Sequence, residues 1–416
     1  MKATIVIIGD EILLGRVTDT NSGFIARALD PLDIAIERIV TVGDNADQIT
    51  RAVSDALTST PLVITTGGLG PTKDDITKHV LMSVFGGELV FDPTVYANVQ
   101  RIFAAKNLDM NRLTHDQALV PTSCRVIQNI YGTAPVMWFA DAEGRVLVAL
   151  PGVPHEACQM MSNFVVGEIA THFSPHTHYT HRSLQVSGIS ESGLAECLAA
   201  WEDSLPAGFH LAYLPNSPVI TLRLDGRGTD SAALATQADY LFAQLRELLG
   251  TLIIAVGEAP LSQTLVDSLR RHKLTLCTAE SCTGGNIARS ITQVAGCSDV
   301  FNGAIVSYSN AVKEHLLAVP AATLSAHGAV SAQTVAAMLA GACRATGSQC
   351  CMATSGIAGP GGGTAEKPVG TVWIGAFMPG RDPVIECHHF SGSRQRIIDR
   401  ATATAQLTLL RLLQDA

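Results

Sequence analysis

The chain has 416 residues, 47% hydrophobic and 16% charged, with 28 Lys+Arg against 37 Asp+Glu and a formal net charge of -9. That is more chain than one compact domain holds, since domains run to roughly 100–200 residues, and it is too apolar for disorder. The acidic balance excludes a nonspecific nucleic-acid or anionic-membrane binder, whose phosphate contacts need clustered cations.

No apolar run reaches the roughly 18 residues that span a bilayer. The opening MKATIVIIGDEILLG reads as a first strand rather than a signal peptide, because Asp10 and Glu11 interrupt it and no small-residue cleavage site follows. Ten Cys form no CxxC pair, and Cys277, Cys350 and Cys351 lie in apolar, strand-like runs. That is the pattern of reduced, buried thiols in a cytoplasmic, soluble protein.

Through about residue 170, short apolar runs alternate with helical periods. ATIVIIG precedes an amphipathic stretch from Asn21 to Leu29, IERIVTVG precedes helical spacing through Leu57, and PLVITTGG leads into TKHVLMSVF. Such βαβ units predict a parallel sheet with helices on both faces and ligands beyond the carboxyl ends of the strands. A polar connection, THFSPHTHYTHRS, follows. Its His172, His176, His178 and His181 have no Cys or carboxylate to complete a tetrahedral set, so no metal is expected there. RSLQVSGI, a helix near 193–201, VITLRLDG and a helix over 232–249 then predict a small α+β unit without obvious chemistry. After a second linker at 256–260 the pattern is again α/β: helix 261–272, strand KLTLCTAE, a Gly turn, a helix from Asn286, strand GAIVSYS and helix AVKEHLL. A helix capped by Ser331, strands CCMATSG, TVWIGAFM and PVIECHHF, and a closing helix complete it. The domains expected are 1–172, 173–256 and 257–416.

Two constellations carry chemistry. In the first segment, Thr65 to Thr72 (TTGGLGPT) lies between a strand and a helix, so its amides can hold a phosphate. Asp74 and Asp75 come just after it, and Asp10 and Glu11 end the first strand. Carboxylates beside a phosphate loop are repelled unless a cation bridges them, which points to a divalent ion such as Mg²⁺ on these four.

In the last segment, TAESCTGGNIARSI places Ser281, Cys282 and Thr283 at a strand-to-helix turn, where backbone N–H groups can stabilise developing negative charge. Gly284 and Gly285 allow close approach. Tyr308, Asn310 and Lys313 come after the next strand, and a lysine or tyrosine of altered pKa can serve as a general base for a serine. The loop from Ser355 through Gly356, Gly359, Gly361 and Gly362 turns repeatedly between two strands, as loops that lie against ligands do. Arg394 and Arg396, at the start of the closing helix, are a candidate phosphate seat. Cys282 is the rival nucleophile, since a thiol at a helix N-terminus can have a depressed pKa.

AESCTGG, YSN followed by Lys313, HGAVS, SGIAGPGGG with EKPVGTV, and FSGSR together resemble the C-terminal domain of CinA proteins, the nicotinamide-nucleotide amidase type. The resemblance covers nearly all of 261–413. It implies deamidation of nicotinamide mononucleotide to nicotinate mononucleotide and ammonia, with Ser281 as nucleophile, Tyr308 and Lys313 activating it, and no metal or other cofactor. Cys282, Thr283, Gly284, Gly285, Asn310, Ser355, Gly356, Gly359, Gly361, Gly362, Arg394 and Arg396 are the candidate substrate contacts.

GDEILLG, Asp19 with Asn21, VGDN, TTGGLGPTKDDIT and LPGVPHE resemble the N-terminal CinA domain, which is related to the molybdopterin-binding MoaB/MogA fold. This implies a three-layer parallel-sheet domain with metal-dependent ADP-ribose pyrophosphatase activity, yielding AMP and ribose 5-phosphate. Gly9, Asn21, Asp44, Gly67, Gly68, Gly70 and Thr72 are the candidate nucleotide- and phosphate-binding positions, and Asp10, Glu11, Asp74 and Asp75 the metal ligands. Two segments depart from the family pattern: 111–116 ahead of Gln117-Ala118, and Gly132-Thr133-Ala134-Pro135 running into Val136. Two alternatives therefore stand, an amidase whose N-terminal half only binds a nucleotide, and a molybdopterin-binding protein. The partners expected are nicotinamide mononucleotide, ADP-ribose and a second copy of the chain, with no nucleic acid and no membrane.

Overall fold

Successive side chains of a strand point to opposite faces. In Lys2–Ile8 this sends Ala3, Ile5 and Ile7 into one apolar cluster and Val6 and Ile8 into another. A strand buried on both faces needs a continuous apolar run, and ATIVII supplies it. The computed structural model describes residues 1–173 and 177–414. His176 of the histidine-bearing connection thus lies outside the described residues, and the His172 ring packs on Trp138 and Phe173.

The first sheet has the order Ala35–Val42, Lys2–Ile8, Leu62–Thr66, Val146–Leu150, Val136–Ala140, Cys124–Ile127. The first four strands are parallel and the last two antiparallel, so the predicted parallel sheet carries an antiparallel edge. One face packs on the helices Asn21–Leu29, Pro154–Met160 and Val166–Phe173, and the other on Ala46–Ser59 and Thr77–Phe85. Residues 86–135, to which no strand or helix is assigned from the sequence, form a two-stranded sheet, Leu89–Phe91 with Leu119–Pro121, against the helix Pro93–Ala105.

The middle sheet has the order Phe209–Asn216, Val219–Gly228, His178–Val186, Ile253–Val256, and buries its apolar face under Glu191–Glu202 and Ser231–Leu249. The last sheet runs Phe301–Val306, Leu276–Glu280, Cys350–Gly356, Thr371–Phe377, Val384–His389, with the first three parallel. Leu276, Cys350 and Met352 face the helices Leu261–His272 and Arg394–Gln414, whereas Cys277, Ala279 and Cys351 face Ala332–Thr346. By internal contacts the chain divides into two compact units, Met1–Thr180 with Gly226–Thr236 and His181–Asp225 with Gln237–Ala416. Among the described residues no helix is long and apolar enough to cross a membrane.

Two helices of the second unit meet backbone to backbone. A Cβ added at Gly341, within Ala332–Thr346, would stand 1.9 Å from the carbonyl oxygen of Leu317, the last residue of the helix Asn310–Leu317. The obstacle is backbone, so neither helix can yield by a rotamer change. Gly341→Ala should therefore lower the stability of the second unit by about 2 kcal/mol, the usual scale of overpacking. A denaturant midpoint equal to wild type would contradict this.

Candidate active site

Because the three strands Leu276–Glu280, Phe301–Val306 and Cys350–Gly356 are parallel, the residues just beyond them gather at one edge of the sheet. Ser281 N donates to Thr354 O at 3.0 Å and Ser307 N to Glu280 O at 2.8 Å. The helix Asn310–Leu317, capped by Ser309, then turns Lys313 back toward that edge. Its Nζ lies 3.0 Å from Ser281 Oγ and 2.6 Å from Ser307 O. Lys313 is 1% exposed, and no carboxylate pairs with it among the described residues. Burial pushes its pKa below the ordinary lysine value, toward the neutral amine. The buried Ser307 hydroxyl beside it has no hydrogen-bond partner.

The turn itself is organised by a residue outside the set expected from the sequence. Glu280 is fully buried, and its carboxylate accepts from Thr283 Oγ1 at 2.7 Å, Ala288 N at 2.8 Å, Gly285 N at 3.0 Å, and Ile287 N and Thr278 Oγ1 at 3.1 Å. Gly284 and Gly285, at φ 60 and 96, take the left-handed conformations that aim these amides at one acceptor. This corrects the expectation that the turn's amides are free for a ligand. Three of them serve Glu280, while among the described residues the amides of Cys282 and Thr283 donate to no other backbone group. A carboxylate just ahead of a Gly-Gly turn and a helix start was the available signal, because a helix N-terminus attracts negative charge.

The remaining C-terminal candidates divide by environment. Cys282 is buried, and burial pushes its thiol up to about 12, so it stays protonated rather than becoming a thiolate. Tyr308 is 61% exposed, and its hydroxyl accepts from Arg394 Nη2 at 2.8 Å instead of meeting Ser281. Arg394 Nη1 also donates to Gly359 O at 2.6 Å, so one guanidinium ties the tyrosine to the glycine loop. Ser355 is buried and donates to Ala329 O at 2.7 Å, while Gly356 packs on the backbone of Thr371 and Val372. Gly359 packs on Val369, and Asn310, Gly361 and Gly362 are exposed. Arg396 lies along Gly392, whose added Cβ would come within 2.8 Å of it.

In the first unit, the carboxyl ends of the parallel strands open on a cleft of about 300 Å³ lined by Gly9, Glu11, Asn21, Asp44, Gly67, Gly68, Gly70, Asp74 and Asp75. Gly67 is required by the fold as well: its added Cβ would stand 2.0 Å from Ile8 O. Asp10 and Asp44 are reciprocally bonded, Asp10 N to Asp44 Oδ2 at 3.0 Å and Asp44 N to Asp10 Oδ1 at 3.2 Å. Asp75 accepts from Thr72 N and Oγ1 at 2.8 and 2.5 Å. Burial first, then the charges of Asp10, Glu11 and Asp74, raise the Asp44 pKa. Asn21 is buried. Its Nδ2 donates to Thr66 Oγ1 at 2.9 Å and Gly152 O at 3.0 Å, and its Oδ1 has no partner. Carboxylates lining one cleft and an unpaired carbonyl oxygen are donors of the kind a hard divalent cation takes, although no three carboxylates converge among the described residues. Asp19 has a different task, accepting from Asn21 N and Ser22 N at the start of that helix. Neither departing segment lines the cleft. Asn111 forms a capping box with Thr114, and Asn129 holds the Tyr131 and Gly132 amides.

Three family models match: "Probable molybdopterin binding domain" over 4–171, "Damage-inducible protein CinA KH domain" over 181–255 and "CinA C-terminal domain" over 258–413. A CinA-like protein of Cytophaga hutchinsonii is 41% identical over 409 residues, covering 98% of this chain and 97% of its own. Another from Chloroherpeton thalassium is 41% identical over 380 residues, 90% of each chain. Among solved structures, the CinA superfamily protein KP700603 of Klebsiella pneumoniae is 32% identical, covers 38% of this chain and 97% of its own, and has a TM-score of 0.36.

Removing Glu280 takes the acceptor from five donors, three of them buried. Glu280→Ala should cost on the order of 3–5 kcal/mol in the second unit, as when one partner of a buried charged network is deleted. A loss under about 1 kcal/mol on chemical denaturation would show that the network is dispensable.

Proposed function

The chain belongs to the CinA family, and on that footing we propose that its C-terminal part is an amidase converting nicotinamide mononucleotide to nicotinate mononucleotide and ammonia. The observation that carries this reading is the buried amine of Lys313 at 3.0 Å from Ser281 Oγ. A lysine near its ordinary pKa of about 10.4 is protonated at neutral pH and cannot accept a proton; desolvation favours the form that can. Neutral Lys313 takes the Ser281 proton as the oxygen bonds to the amide carbonyl carbon. The resulting ammonium returns that proton to the nitrogen, ammonia departs, and an ester on Ser281 remains. Water, giving its proton to the same amine, then displaces the acid and restores the hydroxyl. The amides of Cys282 and Thr283 are the donors left for the oxyanion. Side chains supply both nucleophile and base, so the reaction needs no metal. Tyr308 and Arg394 form the solvent-facing wall, where a nucleotide phosphate meets a guanidinium. The amide chemistry rests on the serine–lysine pair, and the nucleotide on the family resemblance.

For the N-terminal cleft we propose metal-dependent cleavage of ADP-ribose to AMP and ribose 5-phosphate. A bound divalent cation would polarise phosphoryl oxygens. Glu11, Asp44 and Asp74 line the cleft and would hold it on drawing together, since no three carboxylates converge there among the described residues. The amides of 68–70 would face the phosphates, the Gly67 amide being donated to Leu150 O. Asp75 is engaged by Thr72, so binding without turnover is the second reading. No nucleic-acid partner is proposed for the KH-type segment. Residues 181–255 hold four Arg, no Lys and eight Asp or Glu, and lack a GxxG, the loop with which KH modules clamp nucleotides.

Ser281→Ala should abolish ammonia release from nicotinamide mononucleotide, whereas Cys282→Ala should retain most of it. The opposite result assigns the nucleophile to the thiol. Since the Lys313 pKa is lowered, the neutral form gains as pH rises, so kcat/KM should climb toward a plateau reached below the ordinary lysine value and fall on acidification. Lys313→Ala should cost on the order of 10²-fold or more and Tyr308→Phe far less; equal losses would restore the tyrosine as proton carrier. Asp74→Asn should end ADP-ribose cleavage and leave ammonia release unchanged. Cleavage by metal-free protein would remove the cation from the scheme.

A further inference from the structure

Ser281 uses only one end of the Leu276–Glu280 strand. At the other end, four residues earlier and roughly 13 Å away by strand rise, Cys277 stands in register with Cys351 of the neighbouring parallel strand. Both are fully buried on the face covered by the helix Ala332–Thr346. Cys343, in the last turn of that helix, joins them half-buried, and the three Sγ atoms all lie within 4.8 Å of one another. Cys350 faces the opposite side of the sheet, in the other apolar cluster, and takes no part. Nothing in the amide reaction uses these thiols.

We propose that Cys277, Cys343 and Cys351 form a structural site for a thiophilic d¹⁰ cation, Zn²⁺ or Cu⁺, that pins the end of the Ala332–Thr346 helix to two strands of the sheet. At a metal–sulfur distance of about 2.3 Å, sulfurs sharing one ion stand roughly 3.8–4.0 Å apart, so the cluster closes on an ion by movements of under about 1 Å. Thiolate is the ligand that selects these ions. Each thiol gives up its proton to solvent as the ion enters. The Thr346 and Ser348 hydroxyls, in hydrogen-bonding reach of Cys277 Sγ, and Arg344, near Cys343, offset the remaining negative charge. Three thiolates saturate Cu⁺ in a trigonal plane. Zn²⁺ takes a fourth ligand, and the half-buried side at Cys343 admits a water.

The test uses the full chain, reduced and free of oxygen, titrated separately with Cu⁺ and with Cd²⁺ as a spectroscopic substitute for Zn²⁺. An ultraviolet thiolate-to-metal band saturating at one ion per chain is expected, lost in Cys343→Ser and kept in Cys197→Ser and Cys387→Ser, both exposed. The Cu⁺ band alone assigns the trigonal site, and a Cd²⁺ band the four-coordinate one. No saturable band with either ion, or a band that Cys343→Ser leaves intact, overturns the proposal. Should that variant not fold, X-ray absorption of the Cu⁺-loaded wild type decides, since three sulfur neighbours near about 2.3 Å are required and fewer refute it. The acidic N-terminal cleft holds only oxygen donors and gives no such band.

Discussion

A cationic side chain buried without a counter-ion is among the most costly things a folded chain can hold. Lys313 is buried with no carboxylate beside it among the described residues, which favours its neutral amine over such a cation. The lysine's helix starts at a cap on Ser309, its amine rests on the Ser307 carbonyl, and its other contact is the hydroxyl of Ser281. A carboxylate beside it would have stabilised the ammonium and removed its basicity. The one buried carboxylate of that turn, Glu280, is instead satisfied by five donors of its own. Glu280 and Lys313 thus flank Ser281, one by sequence and one by contact, while each is kept to a separate set of partners.

The two units meet charge in opposite ways. In the second, burial and a lack of charged partners shift one amine. In the first, burial and then the neighbouring charges of Asp10, Glu11 and Asp74 raise the pKa of a carboxyl, Asp44. Both arrangements stand beyond the carboxyl ends of parallel strands, where side chains and loops project from a rigid edge. In both sheets the antiparallel strands lie to one side of the parallel ones.

Patterns with a short period were legible in the sequence: the Asn21–Leu29 helix, the strand at Leu276–Glu280 and the Ser331 cap all arise from local spacing and cap chemistry. The 86–135 stretch was not, because two of its short strands, Leu89–Phe91 and Leu119–Pro121, pair with each other across a helix. Within the site, motif residues were found but their assignments were not all readable. Tyr308 and Lys313 both suit a proton shuttle by type, and only the direction of the Asn310–Leu317 helix decides which one meets Ser281. The thiols at 277, 343 and 351 come together through strand register and a helix crossing, which no spacing announces.

The crossing at Gly341 acts on the site from a distance. That glycine's missing side chain lets the Asn310–Leu317 helix, which bears Lys313, lie backbone to backbone against its neighbour at Leu317. The reach of an amine toward a hydroxyl is thereby set from the rear of the helix that bears it. A single methyl group there would act as a spacer at Leu317, one turn beyond Lys313 on the same helix. The placement of Lys313 thus depends in part on the absence of a side chain from a different helix.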